Sequence, residues 1–301
     1  MAQYVRKLIA KWIYSYYLPS ALTINSLFQT QLNSPPPPPP NNQKTITSTN
    51  ASHNSTSKRN QTKSTTTQTI KTPTMSTNSL QPLTLHAHST GPNPYKVAIL
   101  LQALSLPYTV KLWDFSASSS GVKGEAFTAI NPNGRVPALH DPNTGVTSWE
   151  SLACINYVLR VYDTGKKFGP KEEEGEQGKA DFDAWTSFLI TTLGPMMGQC
   201  NWFKHYHAQK NEDAYKRYEA QVYRCFGVLE GQIKGHGGEW VLGGEGPSAV
   251  DYHFEPWMRQ VEFAGLSLEE YPAVKGWVER VQGLGEVVRA YESVKDGEEA
   301  K

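Results

Sequence analysis

Asn131-Pro-Asn-Gly-Arg-Val-Pro-Ala-Leu139, followed ten residues later by Trp149-Glu150-Ser151, decides how this chain folds. Val136-Pro137 is an X-Pro bond, where trans is favoured over cis by only about 0.5–1 kcal/mol. A tight cis turn here would leave the Val136 N–H and C=O outside any sheet ladder, open to pair with an extended peptide. Pro142-Asn-Thr-Gly145 reverses the chain between residues 136–141 and 146–148, which predicts a β-hairpin. Residues 148–151 then fall where strand gives way to helix, and the N–H groups of a helix start hold carboxylates and phosphates. A peptide-pairing edge beside an anion site describes a pocket for a small acidic peptide.

Upstream, Leu83, Leu85 and Ala87 alternate with polar residues, as in a strand. Gly91-Pro92-Asn93-Pro94 makes a turn, and Pro94 suits the start of a helix. Val97, Leu100, Leu101 and Leu104 repeat at helical spacing, and Tyr108, Val110 and Leu112 mark a second strand. After a Ser/Gly loop and a short helical turn comes the Asn131 segment. Leu152, Ile155 and Leu159 follow on a helix. The order β-α-β-α-β-β-α is the thioredoxin-like arrangement.

Beyond Asp163 the pattern is helical only, after a charged linker at 166–178. Tyr215, Tyr218, Val222, Phe226, Leu229 and Ile233 form one amphipathic stripe. Ser248-Ala-Val-Asp251 is a capping box, and Pro256 should kink the helix that it starts. Val274, Trp277, Val278 and Val281 give a final helix. The fold class expected is α/β plus all-α: a leader at 1–80, a thioredoxin-like domain at 81–165 and a helical domain at 175–295.

The chain has 301 residues and a net charge of +1, which suggests neither a nucleic-acid nor an anionic-membrane partner. Residues 1–80 hold eight Lys/Arg and no acid, so the remainder carries 21 basic and 28 acidic side chains and is mildly acidic. The leader opens on a basic, partly apolar segment that reads as a mitochondrial presequence or a poor secretion signal. Six prolines at 35–40 and a Thr/Ser/Asn/Gln-rich tract follow, with too few apolar residues to offset ordering. Three sequons (Asn50, Asn54, Asn60) fit chance in so polar a tract, and Met75 reads as an alternative start. Three scattered cysteines fit a reducing compartment, and no apolar run reaches the ~20 residues that span a bilayer. The protein is therefore expected in the cytoplasm, or in mitochondria if the leader is made and used.

The Val-Pro and Glu-Ser motifs resemble those of the glutathione transferase superfamily. Further features are similar to fungal transferases akin to the yeast prion-forming nitrogen regulator. They are His88-Ser-Thr-Gly-Pro-Asn-Pro-Tyr-Lys-Val97, Asp114-Phe115, and Gly194-Pro-Met-Met-Gly-Gln199 with His205-Tyr-His207. The resemblance covers about residues 82–290 and implies glutathione as co-substrate. It implies that Glu150 accepts the γ-glutamyl ammonium, Ser151 holds the adjacent carboxylate, and Val136, before Pro137, pairs with the cysteinyl backbone. For the glycyl carboxylate the candidate is Lys123, beside Val122 in the loop after the second strand, whereas Arg135 is expected either to neutralise a carboxylate or to decorate the surface. Asn93, assisted by Ser89 or Thr90, would stabilise the thiolate, with Tyr95 as runner-up. No cysteine stands there, which argues against mixed-disulfide chemistry. His86 and His88 read as polar strand residues.

Met196, Trp202, Phe203 and Tyr206 are expected either to pack as core or to line a cleft for an apolar electrophile opened by Gly194-Pro195. His205 and His207 lack the companions of a metal site. The resemblance implies a homodimer that conjugates glutathione to an apolar electrophile or reduces peroxides. The alternative is a regulatory protein that binds glutathione without turnover.

Overall fold

The computed structural model describes residues 80–119 and 121–300; the expectations placed on the leader and on Met75 lie outside them. The first layer is built from β1 (Leu83–Ala87), α1 (Pro92–Ala103), β2 (Tyr108–Leu112), α2 (Glu125–Thr128), β3 (Ala138–Asp141), β4 (Val146–Trp149) and α3 (Ser151–Tyr162). β1 and β2 are parallel, with α1 as the crossover, whereas β3 runs antiparallel to β1 and forms a hairpin with β4. This is the expected thioredoxin-like order. One strand was not legible: β5 (Glu298–Glu299) returns from the C-terminal end of the chain to pair with β2, so the sheet order is β4-β3-β1-β2-β5. Two consecutive glutamates carry no strand pattern; the pairing is set by the open edge of β2.

The second unit comprises α4 (Gly175–Phe188), α5 (Gly194–Asn201), α6 (Glu212–Gly235), α7 (Ala249–Met258), α8 (Pro272–Gln282) and α9 (Gly285–Lys295). The charged linker is shorter than expected, because α4 already begins at Gly175. Two π-helical turns, Leu189–Leu193 and Trp202–Tyr206, flank α5. Pro256 lies two residues from the end of α7, so it helps to terminate that helix instead of kinking its middle.

α1 is buried from Pro94 to Leu101. A helix covered on every side needs partners all round, and α3, α7 and α9 supply them. α9 is fastened through Tyr291, whose ring stacks on Tyr95 of α1 at 4.2 Å and whose hydroxyl donates to Glu255 of α7 at 3.0 Å. α7 is fixed at its start by Ser248 and Asp251. The Ser248 hydroxyl accepts the Val250 N–H at 3.2 Å, and the Asp251 carboxylate accepts the Ser248 N–H at 2.7 Å. The same buried carboxylate accepts the Val241 N–H and the Trp277 indole N–H, so one side chain joins α7 to α8 and to the loop before it.

Candidate functional site

Three chain segments meet at a cleft of about 280 Å³ lined by Asn93, Asn131, Asn133, Arg135, Val136, Pro137, Glu150 and Ser151. Val136-Pro137 is cis, and β3 begins only at Ala138, so Val136 lies outside the ladder at the cleft wall. Asn131 shapes the wall. It is buried, its side-chain amide donates to the Arg135 carbonyl at 2.5 Å, and its Oδ1 accepts the Asn133 N–H at 2.9 Å. Asn133 in turn donates to Glu150 Oε1 at 3.2 Å, which aims the carboxylate. Glu150 adopts φ +69°, a left-handed conformation that costs a residue other than Gly roughly 1–3 kcal/mol. That bend sets the acid at the mouth of α3, where Ser151, nearly buried, starts the helix.

The other end of the cleft is the start of α1. Pro92 and Pro94 have no N–H, so the first turn of the helix offers few donors. Asn93 supplies one from its side chain. Its Oδ1 accepts the Trp257 indole N–H at 3.1 Å, and since an indole only donates, the amide NH₂ is left as the end directed away from Trp257. Trp257 reaches this place through Gly194 and Gly198. A Cβ on Gly194 would lie 3.2 Å from the indole, and one on Gly198 would lie 3.5 Å from it. The Gly194-Pro-Met-Met-Gly198 motif is therefore a slot for Trp257, a role that its sequence reading as a kink missed.

The remaining candidates are placed elsewhere. Ser89 lines a second cavity of about 330 Å³ with Tyr95, Tyr291, Glu292 and Lys295. The Tyr95 hydroxyl donates to the Ser89 carbonyl at 2.6 Å, and burial pushes its pKa up to about 12. The Thr90 N–H donates to His88 Nδ1 at 3.1 Å, and the Thr90 hydroxyl lies 3.0 Å from the same nitrogen. Burial lowers His88 to about 4, despite Asp114 nearby, so the ring is neutral. His86 is also brought down to about 4 by burial and accepts the Trp113 indole N–H at 3.0 Å. It is a polar residue of β1, as expected, and it is buried in the core. Lys123 Nζ donates to the Gly134 carbonyl at 2.7 Å and braces the turn from behind, whereas Arg135 lines the cleft.

Met196, Trp202, Phe203 and Tyr206 line neither cavity. All are half-buried, Met196 within α5 against the core and the other three on the π-helical turn after it: Phe203 stacks on Tyr218 of α6 at 5.8 Å, and Tyr206 faces Phe263. His205 stacks on Phe263 at 4.1 Å. Among the described residues no cluster of His, Cys, Asp or Glu could hold a metal ion. The three cysteines are buried, and none lines the cleft.

A thioredoxin-like sheet with a cis-proline wall, an acid at a helix start and an all-helical second unit defines a class of proteins that bind thiol peptides. The glutathione S-transferase N-terminal domain family matches residues 90–160, and the C-terminal domain family matches 185–284. The chain is 37% identical to a glutathione S-transferase-like protein, tpcF, of Aspergillus fumigatus, over 67% of this chain and 91% of that protein. It is similar to the solved structure of Ure2p in complex with S-hexylglutathione, at 29% identity and a TM-score of 0.65 over 70% of this chain and 98% of that one. A third likeness is to the glutathione transferase URE2P8 from Phanerochaete chrysosporium with oxidized glutathione, at 30% identity and a TM-score of 0.63 over 71% of this chain and 95% of that one. The chain belongs to the glutathione S-transferase family.

Proposed function

We propose that the protein binds glutathione in the Asn93–Ser151 cleft and transfers its thiolate to an apolar electrophilic small molecule. The observation that carries the reading is the fixed Asn93 amide. Thiolate, not thiol, is the nucleophile, and a donor held in place beforehand stabilises developing charge without reorganising. Glu150, aimed by Asn133, takes the γ-glutamyl ammonium, Ser151 takes the neighbouring carboxylate, and Val136 pairs with the cysteinyl backbone. Arg135 is the cation placed for the glycyl carboxylate, with Lys123 supporting its turn. Relatives solved with S-hexylglutathione and oxidized glutathione support a site of this kind. The acceptor enters past Ser89, beside Tyr95 and Tyr291, or along the Met196–Tyr206 seam. A cytoplasmic homodimer completes the reading.

The test is turnover of a chlorodinitrobenzene-type acceptor and of cumene hydroperoxide by the wild type and by Asn93→Ala. The variant should lose on the order of 100-fold in kcat while retaining glutathione affinity within a few fold. Wild-type activity that Asn93→Ala leaves intact would remove Asn93 from the chemistry. No glutathione binding by calorimetry would reject the site. A second reading rests on the similarity to Ure2p, which has also been solved as a nitrogen regulation fragment of a yeast prion protein. Glutathione binding without turnover of either acceptor, plus recovery of a regulatory protein on the chain, would favour that role.

A further inference from the structure

Beneath the cleft lies a cation that the binding scheme above does not use. Lys96, on the second turn of α1, is 1% exposed and fully enclosed by α3, α7 and the core. Its Nζ points at Ser151 Oγ from the protein side, at 3.5 Å. It forms no ion pair within 4 Å among the described residues. An ammonium has donors only, so when Lys96 is charged Ser151 Oγ accepts from it, and its one O–H is left available for a partner in the cleft. A neutral amine carries a lone pair and can take that hydrogen for itself. The charge on Lys96 therefore biases which way the Ser151 hydroxyl faces.

We propose that Lys96 is a positioning residue for the γ-glutamyl carboxylate: as a buried ammonium it turns the Ser151 hydroxyl toward the ligand and stands behind the anion as countercharge. This rests on the glutathione reading of the cleft. An unpaired buried lysine resists protonation, and burial lowers Lys96 to about 7, with Glu150 pulling the other way. On the elements packed against α1, the buried Glu255 of α7 is paired with Arg259 and Tyr291, and Asp251 of α7 is held by the Val241, Ser248 and Trp277 N–H groups. α7 contributes His253, fully buried and held well below its usual pKa by burial and by Lys96 itself, against a contact with the Thr186 backbone that works the other way. Arg289 of α9 is directed at Gln102 instead, and His86 of β1 is bonded to Trp113.

The sign follows. In the free protein Lys96 loses its charge as pH rises through about 7; a carboxylate docked on Ser151 raises that pKa. Binding above this pH then takes up a proton, and affinity falls with rising pH. Well below it Lys96 is charged beforehand, so no uptake occurs and affinity is highest.

The experiment is calorimetry of S-methylglutathione binding to the full protein, in buffers of different ionisation enthalpy. This probe has no thiol to titrate, and its amine is mostly protonated at pH 7, since such groups titrate near about 8. The wild type should take up about half a proton at pH 7 and almost none at pH 5.5, and its Kd should rise about tenfold between pH 6 and pH 8. Lys96→Met should bind more weakly at pH 6, by tenfold or more, with a Kd that rises only about twofold between pH 6 and pH 8, from deprotonation of the probe's own amine. Tight binding by the wild type with no proton uptake at pH 7 overturns the inference, whether or not Lys96→Met folds. So does a folded Lys96→Met that keeps the wild-type uptake. Failure of the probe to bind at any pH would instead reject the glutathione site itself.

Discussion

Asn93 is a weak donor made definite by its neighbour. An asparagine amide can present either end; here the indole of Trp257 occupies the oxygen, so the NH₂ is left for the cleft. Trp257→Phe keeps most of the apolar fill and removes only that N–H. It is expected to lower kcat by about three- to tenfold with little change in glutathione KM. Adding it to Asn93→Ala should cost nothing further, because coupled residues are not additive. Steady-state kinetics of the two single variants and the double variant check this; additive losses would show that Trp257 acts otherwise. In the sequence Asn93 is visible as a polar residue at a helix start, but its orientation is not. That depends on an indole 164 positions away, for which no local pattern exists. The same limit hid Asn133, whose contact with Glu150 spans a hairpin.

At the level of elements, the strands and helices with a clean period were legible, namely β1, β2, the hairpin, α1, α3 and α6. The Ser248–Asp251 box was legible too, since both partners lie within four residues. Its reach was not: Asp251 also holds Val241 and Trp277, and burial pushes its carboxyl pKa up against the hydrogen bonds that lower it. Asp251→Ala leaves the Trp277 indole and two backbone N–H groups without their acceptor. Each orphaned buried donor costs about 1–3 kcal/mol, so a total loss on the order of 3–5 kcal/mol is expected in urea unfolding. A loss below about 1 kcal/mol would mean that water replaces the carboxylate. The seam from Met196 to Tyr206 remained ambiguous in the sequence for a physical reason. Aromatics on a π-helical turn can face a cleft or a neighbouring helix, and here Tyr218 and Phe263 claim them.

At the scale of the whole molecule, the last residues close the first layer. Ala300 packs with Trp113, Phe115, Val122 and Phe127, and its N–H donates to the Leu112 carbonyl at 2.7 Å. Gly297 is pressed so close to β2 that a Cβ would lie 2.8 Å from Val110. Removing residues 297–301 should destabilise the sheet by about 2 kcal/mol through lost edge hydrogen bonds and apolar cover. Light scattering during heating should then show earlier association, as expected of an uncovered strand edge. An unchanged melting temperature and no added scattering would count against this.

That closure also bears on how the chain is made. The thioredoxin-like layer leaves the ribosome well before α9, yet its β2 edge waits for residues that are synthesised after the entire helical unit. Until then the nascent layer carries an unpaired edge and an incompletely covered Trp113 cluster, features that favour misassembly and recruit chaperones. The two units are therefore tied in time as well as in contact: the first to emerge cannot be finished until the second has folded and brought back the strand that completes it.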